Sequence, residues 1–169
     1  GDNQAEDRSG TISIFRGELP RIILNDDEVS EAQIVSDWIE KQISEGISPT
    51  EIGVFVRTEH QYKRALNAIK KSGNTGVVLN YKLDGDDSSI NYGTMHLAKG
   101  LEFRSVAVIA CDQDALPLHE RMRLFTEKAD IEEIERTERQ LLYVACTRAR
   151  ESLLVTGVGA GSKYLYDLA

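Results

Sequence analysis

The chain has 169 residues, with 20 lysines and arginines against 28 aspartates and glutamates and a formal net charge of −8. That length suits one domain able to bury about 70% of its unfolded surface, and 41% hydrophobic with 28% charged residues excludes disordered and fibrous chains. No apolar run approaches the ~20 residues needed to cross a bilayer, no start resembles a secretory signal, and the acidic balance excludes a free-standing basic nucleic-acid binder. The expectation is a soluble, cytoplasmic chain that is monomeric and does not contact a membrane.

Cys111 and Cys146 are far apart, as are His60, His96 and His119, so no compact metal-binding spacing is present and two buried free thiols are expected. Residues 1–10 are polar and aperiodic, which reads as a flexible N-terminal segment ahead of one domain over 11–169. Ile12 and Ile14, then Arg21 to Leu24, offer short β-like runs, and Asn25 to Asp27 carry helix-start chemistry. From Glu28 to Glu45, Ile34, Val35, Trp38, Ile39 and Ile43 recur at helical spacing, placing Trp38 in the core, and Gly46 stops the helix.

Ile52 to Val56 is a short apolar run of the kind buried on both faces of a parallel sheet. A helix over Gln61 to Lys71 follows, ended by Gly73, then strands at Val77 to Leu79 and about Ile90 to Met95, separated by a turn cluster at Asp84 to Ser89. Ser105 to Ala110 is another buried-type strand, and Pro117 marks an irregular connection. A long helix over Ile131 to Thr147 carries Ile131, Ile134, Leu141, Leu142 and Ala145 inward, with Tyr143 also on an apolar face. A strand at Ser152 to Thr156 and a short helix at Ser162 to Leu168 close the chain.

Two-faced apolar strands alternating with helices predict an α/β fold, a mainly parallel sheet covered on both sides. In such sheets ligands gather at the carboxyl ends of strands. Arg57 to Glu59, Thr94 to Phe103, and Thr147-Arg148 are expected there. No glycine-rich phosphate loop occurs, and Gly157, Gly159 and Gly161 read as a flexible turn after the last strand.

The stretch Thr94-Met95-His96-Leu97-Ala98-Lys99-Gly100-Leu101-Glu102-Phe103, followed by Glu138-Arg139-Gln140-Leu141-Leu142-Tyr143-Val144-Ala145-Cys146-Thr147-Arg148-Ala149, resembles motifs V and VI of UvrD/Rep-like superfamily 1 DNA helicases. Gly53 to Thr58 is similar to a third segment of that family, and Gly161 to Leu165 to its closing one. The resemblance implies the second RecA-like motor domain, a three-layer fold of the P-loop NTPase type, from a longer ATP-dependent DNA helicase or translocase. The short connection before Thr94 implies the branch without the large accessory insertion. Glu59 stands where the family often has Asn, and Gln140 where it often has Arg.

The resemblance further implies an ATP site completed by Lys99, Gly100, Glu102 and Arg148. Arg148 would be a catalytic arginine finger and Glu102 would accept from the ribose hydroxyl. Arg57, Thr58, Thr94 and His96 would contact single-stranded DNA or a single/double-strand junction. ATP and Mg2+ would be held mainly by a first RecA-like domain whose phosphate loop is absent from this sequence, so the chain alone should not hydrolyse ATP, and no metal ligands are expected within it.

Each residue also has a plainer reading. Arg148 would continue the inward stripe of the long helix as a cation at its negative end. Lys99 would be a solvated turn residue, His96 a satisfied structural histidine, Arg150 a surface residue, and Arg57 a surface partner of Glu59. Thr94 and His96, two apart in an extended segment, would share one face. A rival function is a catalytically inactive RecA-like module that binds a protein partner.

Overall fold

The computed structural model describes residues 19–80 and 88–168. The expected flexible segment 1–10, the β-like run at Ile12 and Ile14, and most of the turn cluster at Asp84 to Ser89 lie outside the described residues. Six strands, β1 (Arg21–Asn25), β2 (Ile52–Val56), β3 (Thr75–Val78), β4 (Ser89–Thr94), β5 (Phe103–Val108) and β6 (Ala149–Val158), form one sheet in the order β1-β6-β5-β2-β4-β3. Every neighbouring pair is parallel. The architecture is therefore the RecA-like α/β sheet.

Helices α1 (Glu28–Ser44) and α2 (Tyr62–Lys71) cover one face, and α4 (Lys128–Cys146) covers the other. The pleat of β2 divides the core between them. Ile52, Val54 and Val56 pack with Val35, Ile39 and Ile69, whereas Phe55 packs with Phe103, Leu142 and Ala145. Gly53 shares the Phe55 side, and a Cβ there would meet the Phe103 and Phe55 rings at 3.0 Å, so the two edge-on rings replace a side chain at that position.

Local chemistry sets the helix ends. The Asp27 carboxylate accepts from the Ser30 N–H at 2.7 Å and starts α1, and Gly46, with φ +97°, ends it in the left-handed conformation that glycine tolerates. The short helix α3 (His119–Arg123), which the periodicity did not predict, follows a cis Leu116–Pro117 bond. It is too short to carry a periodic pattern. The closing segment Lys163–Leu168 forms as a 3-10 rather than an α-helix.

A buried ionic cluster fastens α1, α2 and the segment after β5 together. Glu31, 2% exposed, accepts from Arg64 Nε at 3.0 Å, the Ala110 N–H at 3.1 Å and Thr156 Oγ1 at 2.9 Å. Arg64 also donates to Asp112 at 2.6 Å, and Asp112 accepts from the Val158 N–H at 2.7 Å. Ala110 has φ +56°, a strained value for a residue with a side chain, and its N–H and C=O are held by Glu31 and by Gln61 Nε2 at 3.2 Å.

Gly157 corrects the flexible-turn expectation. It lies inside β6, and a Cβ there would stand 2.7 Å from the Cys111 carbonyl oxygen. Close approach of two backbones, rather than looseness, requires glycine at this position. Gly159 and Gly161 do turn the chain, each with φ +75°.

Candidate nucleotide and nucleic-acid interface

The candidate residues fall into two groups at opposite ends of the sheet. Arg57, Thr58, Thr94 and His96 follow the carboxyl ends of β2 and β4, where they were expected. Lys99 to Glu102 instead lead into the amino end of β5, and Arg148 precedes the amino end of β6. This corrects the expected carboxyl-end placement of Thr147-Arg148 and of the later part of the Thr94 to Phe103 segment, while Arg57 to Glu59 stand where expected. The chain after β4 crosses the sheet through a 3-10 turn (Met95–Ala98) beside α4, so the segment beginning at Thr94 finishes at the far edge.

That turn also overturns the shared face expected of Thr94 and His96. Period-two alternation stops where β4 stops, at Thr94. Thr94 is left beside the Tyr62 hydroxyl of α2, and His96 is exposed next to Arg57. Thr58 is half-buried, and its N–H donates to Gln61 Oε1 at 3.3 Å.

Arg57 does not pair with Glu59 at the surface. It is 5% exposed, and its Nε and Nη2 reach Glu138 Oε2 at 2.9 and 2.8 Å. Glu138, with no exposed surface, also accepts from the Leu118 N–H at 2.7 Å through Oε1, and Arg121 of α3 stands 3.7 Å away. Arg57 Nη1 lies 3.3 Å from His96 Nε2. Partial desolvation holds the imidazole pKa below its ordinary value, the Arg57 and Arg121 charges push the same way, and Glu138 opposes them.

Glu138 was missed. It sits between Ile134 and Leu142 on the buried stripe of α4, at the four-residue spacing the apolar positions follow. An acid in such a stripe demands a cation, and that demand was the available signal.

At the other end, α4 stops at Cys146 with Thr147 as its cap, so Arg148 does not extend the inward stripe. Its half-buried guanidinium donates from Nε to the Val144 carbonyl at 3.1 Å, from Nη1 to the Leu101 carbonyl at 3.3 Å, and from Nη2 to Thr147 Oγ1 at 3.2 Å. All three partners are neutral, and among the described residues no carboxylate pairs with it. Gly100 has φ +80° and open space where a Cβ would be, so the turn rather than crowding calls for glycine. Lys99 is exposed, and Glu102 is exposed with a 3.6 Å pair to the surface residue Arg150.

A cavity of about 410 Å3 joins the two groups along α4. Met95, Leu141 and Val144 give it apolar lining, and Lys99 and Arg121 add two cations beside the His96 imidazole. Gln140 also lines it. Among the described residues no cluster of three or more His, Cys, Asp or Glu side chains is placed to hold a metal ion. No described helix is long and apolar enough to cross a membrane.

Residues 77–158 match the model of the UvrD-like helicase C-terminal domain. The chain is 39% identical over 72 residues to the ATP-dependent DNA helicase PcrA of Bacillus subtilis, and 36% identical over 72 residues to a protein of Mycoplasma pneumoniae named as a DNA helicase II homolog. Each match covers 43% of this chain and 9% of the relative, so the matched stretch spans about a tenth of the length of those proteins. The fold is shared, at 21% identity and a TM-score of 0.67, with the C-terminal domain of a possible DNA helicase from Lactobacillus plantarum, over 94% of this chain and 88% of that one. The stretch that matches the UvrD-like helicase C-terminal domain, residues 77–158, holds Thr94, His96, Lys99 to Glu102 and Arg148, whereas Arg57 and Thr58 precede it.

Proposed function

We propose that the chain works as the second motor half of an ATP-dependent DNA helicase or translocase. In this reading a first RecA-like half grips ATP through its own phosphate loop, and this domain closes on the nucleotide with Arg148. The observation that carries the proposal is the state of that guanidinium. It is oriented by three neutral acceptors, yet no carboxylate among the described residues neutralises it, which suits a group required to meet charge on a transferring phosphoryl. The carbonyl of Leu101 ties it to the loop bearing Glu102, whose exposed carboxylate is free to swing from Arg150 to a ribose hydroxyl. Lys99 offers a cation to phosphate from the same loop, and Gly100 gives that loop its turn.

The strand contact belongs to His96, Thr94 and Thr58 at the other end of the sheet, with Arg57 behind them. Hydrogen bonds from these groups to sugar and phosphate are independent of sequence. A single strand, alone or at a junction with duplex, fits a contact of this kind.

The test is to assay the purified chain for magnesium-dependent ATP hydrolysis with and without single-stranded DNA, beside a polypeptide in which a first motor half is joined to it. The proposal expects hydrolysis only from the joined protein. Robust DNA-stimulated hydrolysis by the chain alone would contradict it.

A further inference from the structure

Arginine carries five N–H donors and no acceptor, so at the 3.3 Å approach of Arg57 Nη1 to His96 Nε2 the imidazole nitrogen must be the accepting one. Nε2 therefore lacks a proton in the neutral ring, and Nδ1 bears it. This is the reverse of the tautomer that free imidazole side chains prefer. Arg57 does not choose this geometry alone. Its Nε and Nη2 are spent on one oxygen of Glu138, and the other oxygen is fixed by the Leu118 N–H at 2.7 Å. With the carboxylate clamped on both sides and the guanidinium planar, Nη1 has one direction left, toward His96.

We propose that Glu138 is a positioning residue which, through Arg57, sets the tautomer of His96 and so the ring N–H offered to a nucleic-acid strand. The part concerning the strand rests on the contact proposed above for His96. The relay follows the logic by which a buried carboxylate orients a functional imidazole, with a guanidinium interposed. It also places control of the contact on α4, the helix whose Val144 carbonyl accepts from Arg148. A displacement of α4 would carry Glu138, and with it the Arg57 fork, away from the ring.

Imidazole nitrogen shifts in NMR spectra of the intact 169-residue chain at neutral pH read the tautomer directly, without DNA. The parent is expected to show His96 protonated at Nδ1, and Glu138→Gln should return it toward the Nε2-protonated form. Arg57→Lys carries the same test if Glu138→Gln does not stay folded, because an ammonium can neutralise Glu138 but lacks the fork that also reaches Nε2. An unchanged Nδ1–H tautomer in a folded variant would overturn the proposal.

Affinity for an oligothymidylate strand at low salt supplies the second arm. Glu138→Gln is expected to weaken it about 2- to 30-fold, the range for residues acting through an intermediary, and to add nothing in a His96→Ala background. Independent, additive losses would overturn the relay. If the tautomer switches but His96→Ala binds like the parent, the strand contact fails while the positioning role of Glu138 stands.

Discussion

Arg57 and Glu138 stand 81 residues apart in the chain and meet at 2.8 Å, one after the carboxyl end of β2 and the other midway along α4. Both are buried, so the pair is governed by desolvation: removing one partner strands the other charge away from water. Glu138→Ala is expected to lower unfolding free energy by about 3–5 kcal/mol, measured by urea denaturation. The paired replacement Arg57→Met with Glu138→Leu should recover most of that loss, because it leaves no buried charge behind. A single variant as stable as the parent would show that the pair is not closed in solution.

The pH dependence of stability should carry a signature of His96. Partial desolvation first, then Arg57 and Arg121, hold its pKa below the ordinary value in the folded chain, with Glu138 opposing and Lys99 lining the same cavity. The unfolded chain therefore binds a proton before the folded chain does. The stabilisation is complete above the unfolded pKa of about 6.5 and is lost as pH falls through the lower folded value. Melting temperature should decline between about pH 7 and pH 5, and His96→Gln should flatten that part of the profile. The carboxylates of Asp27 and Glu51, lowered mainly by backbone hydrogen bonds from Ser30 and Ser48, act in a more acidic window.

Gly157 offers a test of close packing. A methyl group there meets backbone, the Cys111 carbonyl at 2.7 Å, which cannot swing aside as a side chain would. Gly157→Ala is expected to cost about 1–3 kcal/mol by overpacking, whereas Gly159→Ala meets nothing and bears only the strain of its positive φ. Thermal melts of the two variants separate these mechanisms. Equal losses would contradict the close approach.

The strands were legible because their composition reports burial. Ile52 to Val56 is apolar throughout and forms a strand buried throughout. Helices α1 and α2 followed their periodicity, and α4 begins three residues before the expected Ile131 because its first turn is polar and exposed. The strand at Val77 to Leu79 forms at Thr75–Val78, a shift within the ordinary uncertainty of short elements.

Long-range pairing was not legible. The chain order alone does not reveal that Glu138 meets Arg57, nor that Glu31 and Asp112 both claim Arg64. The two ends of the sheet were confused for a related reason. A motif can begin at the carboxyl end of one strand and finish at the amino end of the next, and only the crossover shows where each residue comes to rest.

The two thiols should be inert in the folded chain. Cys111 and Cys146 are fully buried, and burial raises both, Cys146 to about 12. Thiolate is the reactive form, so a thiol-specific disulfide reagent should label neither cysteine until denaturant is added. Fast labelling of one thiol at neutral pH in native protein would contradict the packing around it.

Arg148 decides the central proposal. In the ATP-hydrolysing polypeptide that contains this domain, Arg148→Ala should depress single-turnover hydrolysis by about 10³-fold while nucleotide affinity changes little, because the guanidinium is needed as the γ-phosphoryl group leaves. Arg148→Lys should rescue little, since an ammonium lacks the fork of donors. Losing the helix-end hydrogen bonds should cost about 1 kcal/mol, so the variant should remain folded. Single-turnover hydrolysis, measured alongside nucleotide binding and thermal melting, is the most direct test. A folded Arg148→Ala protein that binds ATP normally and hydrolyses it about 10³-fold more slowly is the predicted result, and one that hydrolyses at the parental rate would contradict the account.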